Sequence, residues 1–169
     1  MKTLFRAALI AGLALSAMTA EALTTTTTFQ VTATINKSCL INSASNVAFG
    51  TYDPLFGSAL TASGSVVFRC TKGTTYTVDL STGASGSFAA RTMTNGTDTM
   101  SYNLYTTAGL VTVFGDGTAG TGHDTGSSGS GIANIVANQK TVSYFGNLPA
   151  GQDRSTGAYS DTITVTITY

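Results

Sequence analysis

The sequence predicts an all-β domain, a sandwich or a barrel of short strands, and three observations carry that prediction. Apolar residues recur at every second position in several short runs, the period of a half-buried strand. Clusters of Gly, Ser, Thr and Asn separate those runs and read as turns. Past the first two dozen residues, no stretch of roughly eleven or more carries a helical period.

In chain order, Phe29, Val31, Ala33 and Ile35 alternate with Gln30, Thr32 and Thr34. Residues 66–68, 76–80, 102–105, 110–114 and 141–145 are the next strand candidates, with turn-rich clusters such as 82–86 and 94–97 between them. Residues 115–131 are rich in Gly, Ser, Thr and Asp. They read as a solvated loop rather than a calcium loop built on Asp116 and Asp124, because the spacing matches neither an EF-hand nor a nonapeptide repeat. Residues 132–136 come nearest to a helix, but their length and β-branching favour a strand or a short turn. The terminal run is the most regular: Ile163, Val165, Ile167 and Tyr169 share one face and threonines the other.

The head of the chain reads as an export signal and not as part of the fold. Lys2 and Arg6 precede an apolar run over residues 7–17, and Ala20-Glu21-Ala22 offers an A-x-A cleavage site. Residues 1–22 are therefore expected to be removed, leaving a chain that starts at Leu23 and forms one domain. No later segment approaches 18 apolar residues, so no membrane insertion of the mature chain is expected. Removing Lys2, Arg6 and Glu21 from eight basic and eight acidic residues leaves six and seven, a net charge near −1. Charged residues are 9% of the chain, against about 25% in an ordinary soluble domain. So sparse a supply of Lys and Arg argues against nucleic acid and anionic lipid as partners.

Cys39 and Cys70 both follow the cleavage site, and in an exported chain an even pair reads first as a disulfide. Closing that loop is worth about 3–4 kcal/mol in the chain-entropy treatment. A metal reading needs more ligands, and the only histidine is His123, inside the Gly/Ser-rich loop. Catalytic residues and cofactors are expected to be absent. The seven mature acids are all aspartates scattered at turns, where turn chemistry explains them. No P-loop, dinucleotide-binding glycine fingerprint or G-x-S-x-G is present.

Two features at opposite ends of the chain fit together, the alternating segment at 29–35 and the regular terminal run at 162–169. The segment before the first cysteine alternates apolar residues and holds neither Pro nor Gly, so it suits donation to the sheet of a neighbouring molecule. It suits equally the first strand of its own sheet, and the pattern does not separate the two.

A resemblance bears on that choice. Over residues 39–169 the chain resembles the spore coat protein U domain family, which includes the subunits of archaic chaperone–usher pili. The matching residues are Cys39, Phe49-Gly50-Thr51-Tyr52, Cys70 and Tyr76-Thr77-Val78-Asp79-Leu80, then Gly83, Arg91, Met93 and Tyr102-Asn103-Leu104-Tyr105. They continue with Phe114-Gly115-Asp116-Gly117, Tyr144-Phe145-Gly146-Asn147-Leu148-Pro149-Ala150-Gly151-Gln152 and Gly157-Ala158-Tyr159-Ser160-Asp161, before the alternating terminal run. The resemblance implies an incomplete immunoglobulin-like β-sandwich completed by a donated strand. It implies self-association into a filament, with a periplasmic chaperone filling the gap until an outer-membrane usher exchanges it for the next subunit's arm. It also implies passage through the periplasm to the cell surface, and a role in adhesion or biofilm formation. On this chain the donor arm is residues 23–35, with Phe29, Val31, Ala33 and Ile35 as the donated face, and the pilin domain is 36–169. The acceptor groove and chaperone contact fall at Ile163, Val165, Ile167 and Tyr169, where the carboxylate of Tyr169 suits basic chaperone residues. The family commonly has Trp where Phe114 stands, and the Thr24–Thr28 run leaves the donated register open. A single domain behind an arm looks like a shaft subunit rather than a two-domain tip adhesin.

Two rival readings remain at this level. About 147 residues suffice for a small outer-membrane β-barrel, although the aromatic girdles are thin and a barrel has no need of a bridge between Cys39 and Cys70. A secreted glycan-binding module would use exposed aromatic platforms, for which Tyr52, Tyr144 and Tyr159 are the candidates.

Overall fold

The computed structural model describes residues 21–55, 57–128 and 139–169. The export signal over residues 1–22 lies outside them except for its last two residues, as do residues 129–131 of the Gly-rich segment and residues 132–136. The chain divides into two units, residues 1–34 and 35–169. In the first, the described residues 21–34 form no regular strand, and Phe29 and Val31 each expose 86% of their surface.

Among the described residues the second unit holds eight strands in two antiparallel sheets. They are β1 (Cys39–Ala44), β2 (Leu60–Cys70), β3 (Thr75–Leu80), β4 (Arg91–Thr94), β5 (Thr99–Tyr105), β6 (Asp124–Ser127), β7 (Lys140–Leu148) and β8 (Val165–Thr168). One sheet runs β1-β2-β7-β5-β4 and the other β6-β3-β8. The only helical element among the described residues is a 3₁₀ turn at Gly83–Ser85. Two open sheets facing each other make an incomplete sandwich and not a closed barrel, which removes the outer-membrane reading. No helix among the described residues is long and apolar enough to cross a membrane.

Alternation places the core between the sheets. Val66 and Phe68 of β2, Tyr76, Val78 and Leu80 of β3, and Val142, Tyr144 and Leu148 of β7 point inward. Met93, Met100, Tyr102 and Leu104 join them from β4 and β5. The Phe68 and Tyr76 rings meet edge to face with centroids 4.8 Å apart, tying the sheets together. The Cys39–Cys70 disulfide is present and closes the end of the β1–β2 ladder, where the two cysteines are register partners.

The expected strand over residues 110–114 is not one. Leu110 sits at φ +54° in a tight turn, its N–H donating to Thr107 O at 3.1 Å, so the run cannot extend. Val113 and Phe114 make single bridges to Tyr105 and Gly122, and only Phe114 is buried. The segment expected to be a solvated loop contains strand β6, paired to β3 through Thr75–Ser127 and Val78–Asp124. Residues 29–35, expected to be a strand of this sheet or a neighbour's, form no strand here.

A buried cation organises one side of the core. Arg91 is fully buried, and its guanidinium donates to Ser81 O (2.8 and 3.0 Å), Phe114 O (2.7 Å) and Asn103 Oδ1 (2.8 Å). Burial lowers its pKa, opposed by the charge of Asp161 and by Tyr102. Phe114 thus serves twice: its carbonyl accepts from Arg91 while its ring fills the core.

Candidate functional site: an apolar groove between the sheet edges

Two segments without regular strand structure border an opening into the core. After β1 the chain from Ser45 to Tyr52 leaves the first sheet, and only Ser45 is still tied to β2 by Ser45 N–H donating to Ser65 O at 2.9 Å. Gly146 lets this segment lie flat on β7, because a Cβ there would sit 2.7 Å from the Phe49 ring and 2.8 Å from Val47. Tyr52 anchors the far end, donating its hydroxyl to Pro149 O (3.1 Å) and accepting from Gln152 N–H (2.8 Å). Gln152 in turn imitates a strand rung against β5, accepting from Ser101 N–H at 2.7 Å and donating to Ser101 O at 2.8 Å.

The opposite wall is the approach to β8. Ser160 exchanges two backbone hydrogen bonds with Thr94 of β4 (2.9 and 3.0 Å), so here the chain still belongs to the first sheet. Five residues later it has crossed over, and Val165 pairs with Leu80 of β3. Asp161 fixes the crossing. Its carboxylate accepts from Tyr102 Oη (2.7 Å), Ala84 N–H (3.0 Å) and Thr162 N–H (2.8 Å). Burial, reinforced by that hydrogen bond, pushes the Tyr102 phenol well above the usual tyrosine range, so it stays a donor.

Between these walls lies a cavity of about 900 Å³. Its floor is the core itself, with Leu80, Met93, Met100, Leu104, Tyr144 and Leu148 reached from outside. Well-packed interiors hold few voids larger than a water molecule, so an opening of this size marks missing material rather than loose packing. β8 is the edge of its sheet, and Ile163, Val165 and Ile167 are only half-buried although they face the core.

Of the four residues expected at a groove, Ile163 and Val165 line it. Ile167 packs against the core below it, and Tyr169 follows β8 with 53% of its surface exposed. Sequence reasoning gave no groove role to the first wall (Val47, Phe49, Tyr52) or to the methionine floor. Phe49, Tyr52 and Met93 were visible as family matches, and Tyr52 also as a candidate glycan platform. Ile35, next to the base of the arm, is 84% exposed.

Chemistry beyond packing is limited. Asp116 accepts from the backbone and hydroxyl of Thr118 (2.9 and 2.6 Å), the pattern of a turn cap. His123 lies 3.2 Å from Asp79. Among the described residues no group of three or more His, Cys, Asp or Glu side chains is placed to hold a metal ion. The three tyrosines considered as glycan platforms are engaged elsewhere: Tyr144 is buried with its hydroxyl on Ser45 O and Ser65 O, Tyr52 is bound as above, and Tyr159 donates to Ser155 O at 2.8 Å.

An immunoglobulin-like β-sandwich that lacks a strand, with an apolar groove where the strand would lie, is the class this geometry defines. Comparison with known proteins places it further. Residues 25–166 match the Spore Coat Protein U domain, and the chain belongs to that family. It is 34% identical over 167 residues to Protein U of Myxococcus xanthus, covering 89% of this chain and 88% of that protein. Among solved structures, it resembles a chain in the crystal structure of the CsuC–CsuE chaperone–tip adhesion subunit pre-assembly complex, from the archaic chaperone-usher Csu pili of Acinetobacter baumannii. That match has a TM-score of 0.55 and 23% identity, and covers 80% of this chain. This chain spans only 40% of the solved one, and the likeness is one of fold.

Proposed function

We propose that this chain is a non-enzymatic subunit of a bacterial surface filament, joined to its neighbours by strand donation. The observation that carries the proposal is the 900 Å³ groove beside the unpaired edge of β8, in a chain whose own residues 29–35 are apolar at alternate positions and unpaired. An extended strand laid in the groove would pair with the free edge of β8 and place side chains on the Met93–Met100 floor. Phe29, Val31 and Ile35 contribute about 1.5–3 kcal/mol each on burial, and Ala33 less. Each ladder hydrogen bond adds about 0.5–1.5 kcal/mol net.

In this reading residues 1–22 direct export, residues 23–35 are the donor arm and residues 36–169 the pilin domain. A periplasmic chaperone covers the groove first, contacting β8 and the exposed Tyr169, and an outer-membrane usher exchanges it for the arm of the next subunit. Adhesion or biofilm formation is the role such a filament would serve at the cell surface. The family membership and the fold shared with a chain of a chaperone–subunit complex support this reading.

The test uses material sheared from expressing cells, run on gels with and without boiling in detergent. The full chain gives a ladder of multimers that collapses on boiling to one subunit. Deleting residues 23–35 abolishes the ladder. Appending those residues after Tyr169 through a flexible linker fills the groove in cis, giving monomers with a raised Tm. Normal filaments from the deleted chain would refute strand donation.

A further inference from the structure

The few charges of the domain are sorted by end. Phe68 pairs with Lys140, Leu40 with Arg69, and Cys39 with Cys70, so these residues share one end of the first sheet. Lys37 and Lys72 belong to the same end. Ser38 N–H donates to Thr71 Oγ1 at 2.9 Å and Thr71 N–H donates to Ser38 O at 2.8 Å, which holds the Asn36–Ser38 stretch against the β2–β3 turn. Lys37, Arg69 and Lys72 thus form a collar around the disulfide, and none of them has an ion pair among the described residues. Lys140 beside them is within electrostatic reach of Asp124.

The other end carries the opposite sign. Leu60 pairs with Leu148, and the loop that follows β7 brings Asp153 and Arg154. Asp98 lies 4.0 Å from Arg154 and accepts from Ser155 N–H at 3.2 Å, and Asp53 follows Tyr52, whose hydroxyl is bound to Pro149 and Gln152. Arg154 lines the end of the groove bounded by Tyr52, Gln152 and Tyr159, and three carboxylates stand just outside it: Asp53 and Asp153 as chain neighbours of Tyr52 and Gln152, and Asp98 beside Arg154. The eleven residues of β2 separate the two ends by about 33 Å. Ionic screening acts over about 8 Å at physiological salt, so the clusters do not neutralise each other within one molecule.

From this sorting we infer that the Lys37–Arg69–Lys72 collar of one copy docks on the Asp53–Asp98–Asp153 rim of the next, guiding each joint as it forms. The inference rests on the strand-donation reading and adds a second contact to it. Lys37 is two residues from Ile35, a reach of at most about 7 Å, so the collar is carried to whichever end of the neighbour the arm enters. Entry at the anionic rim sets opposite charges together. Entry at the far end sets collar against collar, where three uncompensated cations repel.

The experiment reverses each partner in the full chain. Lys37→Glu with Lys72→Glu, or Asp53→Lys with Asp153→Lys, lowers the amount of multimer in the sheared-cell ladder about tenfold, since steering charges act mainly on association rate. Combining both pairs in one chain makes collar and rim complementary again with signs exchanged, and restores the ladder. Far-ultraviolet circular dichroism of purified subunits confirms that each variant folds. An additive loss in the combined chain overturns the inference, as does an unchanged ladder in either reversed pair. Lower subunit levels in the periplasm without shorter multimers also overturn it, by assigning the collar to export. Deletion of residues 23–35 distinguishes the two ideas: it abolishes multimers in every charge background if strand donation holds, whatever the fate of the collar.

Discussion

β2 and β8 carry the same kind of sequence and end in different states. Both turn alternate apolar residues to the core, with small polar residues at most of the outward positions and Val67 and Arg69 at the end of β2. Val66 and Phe68 of β2 are fully buried, whereas Val165 and Ile167 of β8 are half-buried. The difference lies in their neighbours. β2 is flanked by β1 and β7 and covered by β3, while β8 has β3 on one side and the groove on the other. Burial in a sheet is set by what stands beside a strand as much as by the strand's own residues.

The largest effect is expected where the covered side is broken at its polar centre. Arg91→Ala leaves the carbonyls of Ser81 and Phe114 without their donor and Asn103 Oδ1 with Leu104 N–H alone, and should cost about 3–5 kcal/mol in denaturant unfolding of the subunit. A cost below 1 kcal/mol would mean the buried cation is dispensable. Phe68→Ala should cost about 3–4 kcal/mol, and Val165→Ala at the groove only about 1 kcal/mol. Equal costs would erase the contrast between β2 and β8. Replacing both Cys39 and Cys70 by Ser should lower stability by about 3 kcal/mol, read as a shifted unfolding midpoint under oxidising conditions. An unshifted midpoint would show that the β1–β2 ladder and the Ser38–Thr71 bonds secure that end without the bridge.

The smallest effect concerns Tyr102. Burial, then its hydrogen bond to Asp161, raises its pKa in the folded state. Its stabilising contribution is therefore complete below the unfolded value of about 10 and is lost as pH rises through the higher folded value. Tyr102→Phe should cost about 1 kcal/mol at neutral pH and flatten the alkaline fall in stability. The buried Tyr76, also raised, keeps part of that slope. An unchanged alkaline slope would mean that Tyr102 does not couple to unfolding.

Much of the strand content was legible. Residues 66–68, 76–80, 102–105 and 141–145 fall inside β2, β3, β5 and β7, because their apolar side chains face one core. β6 was not legible, since Asp124-Thr125-Gly126-Ser127 has loop composition and is held by pairing with β3 and by the Tyr76 ring over Gly126. The run 110–114 misled for the converse reason: strand-like residues sit on a turn that holds Leu110 at positive φ. The groove is a missing neighbour, which no local pattern records. Its far wall was foreshadowed by the terminal run, while Val47, Phe49 and the methionine floor are a tertiary outcome. Arg91 was visible as a family residue, but its partners are mainly backbone carbonyls, which no side-chain motif reveals.

The passage from Ser160 to Val165 acts as a caliper on the groove. One jaw is bonded to Thr94 in the first sheet and the other to β3 in the second. Five residues of chain reach at most about 17 Å, against the roughly 10 Å at which packed sheets ordinarily rest. The sheets can part enough to admit one row of side chains. A helix, about 10–12 Å across with its side chains, needs them roughly twice their resting distance apart and would tear one jaw loose. The opening is gauged for an extended guest.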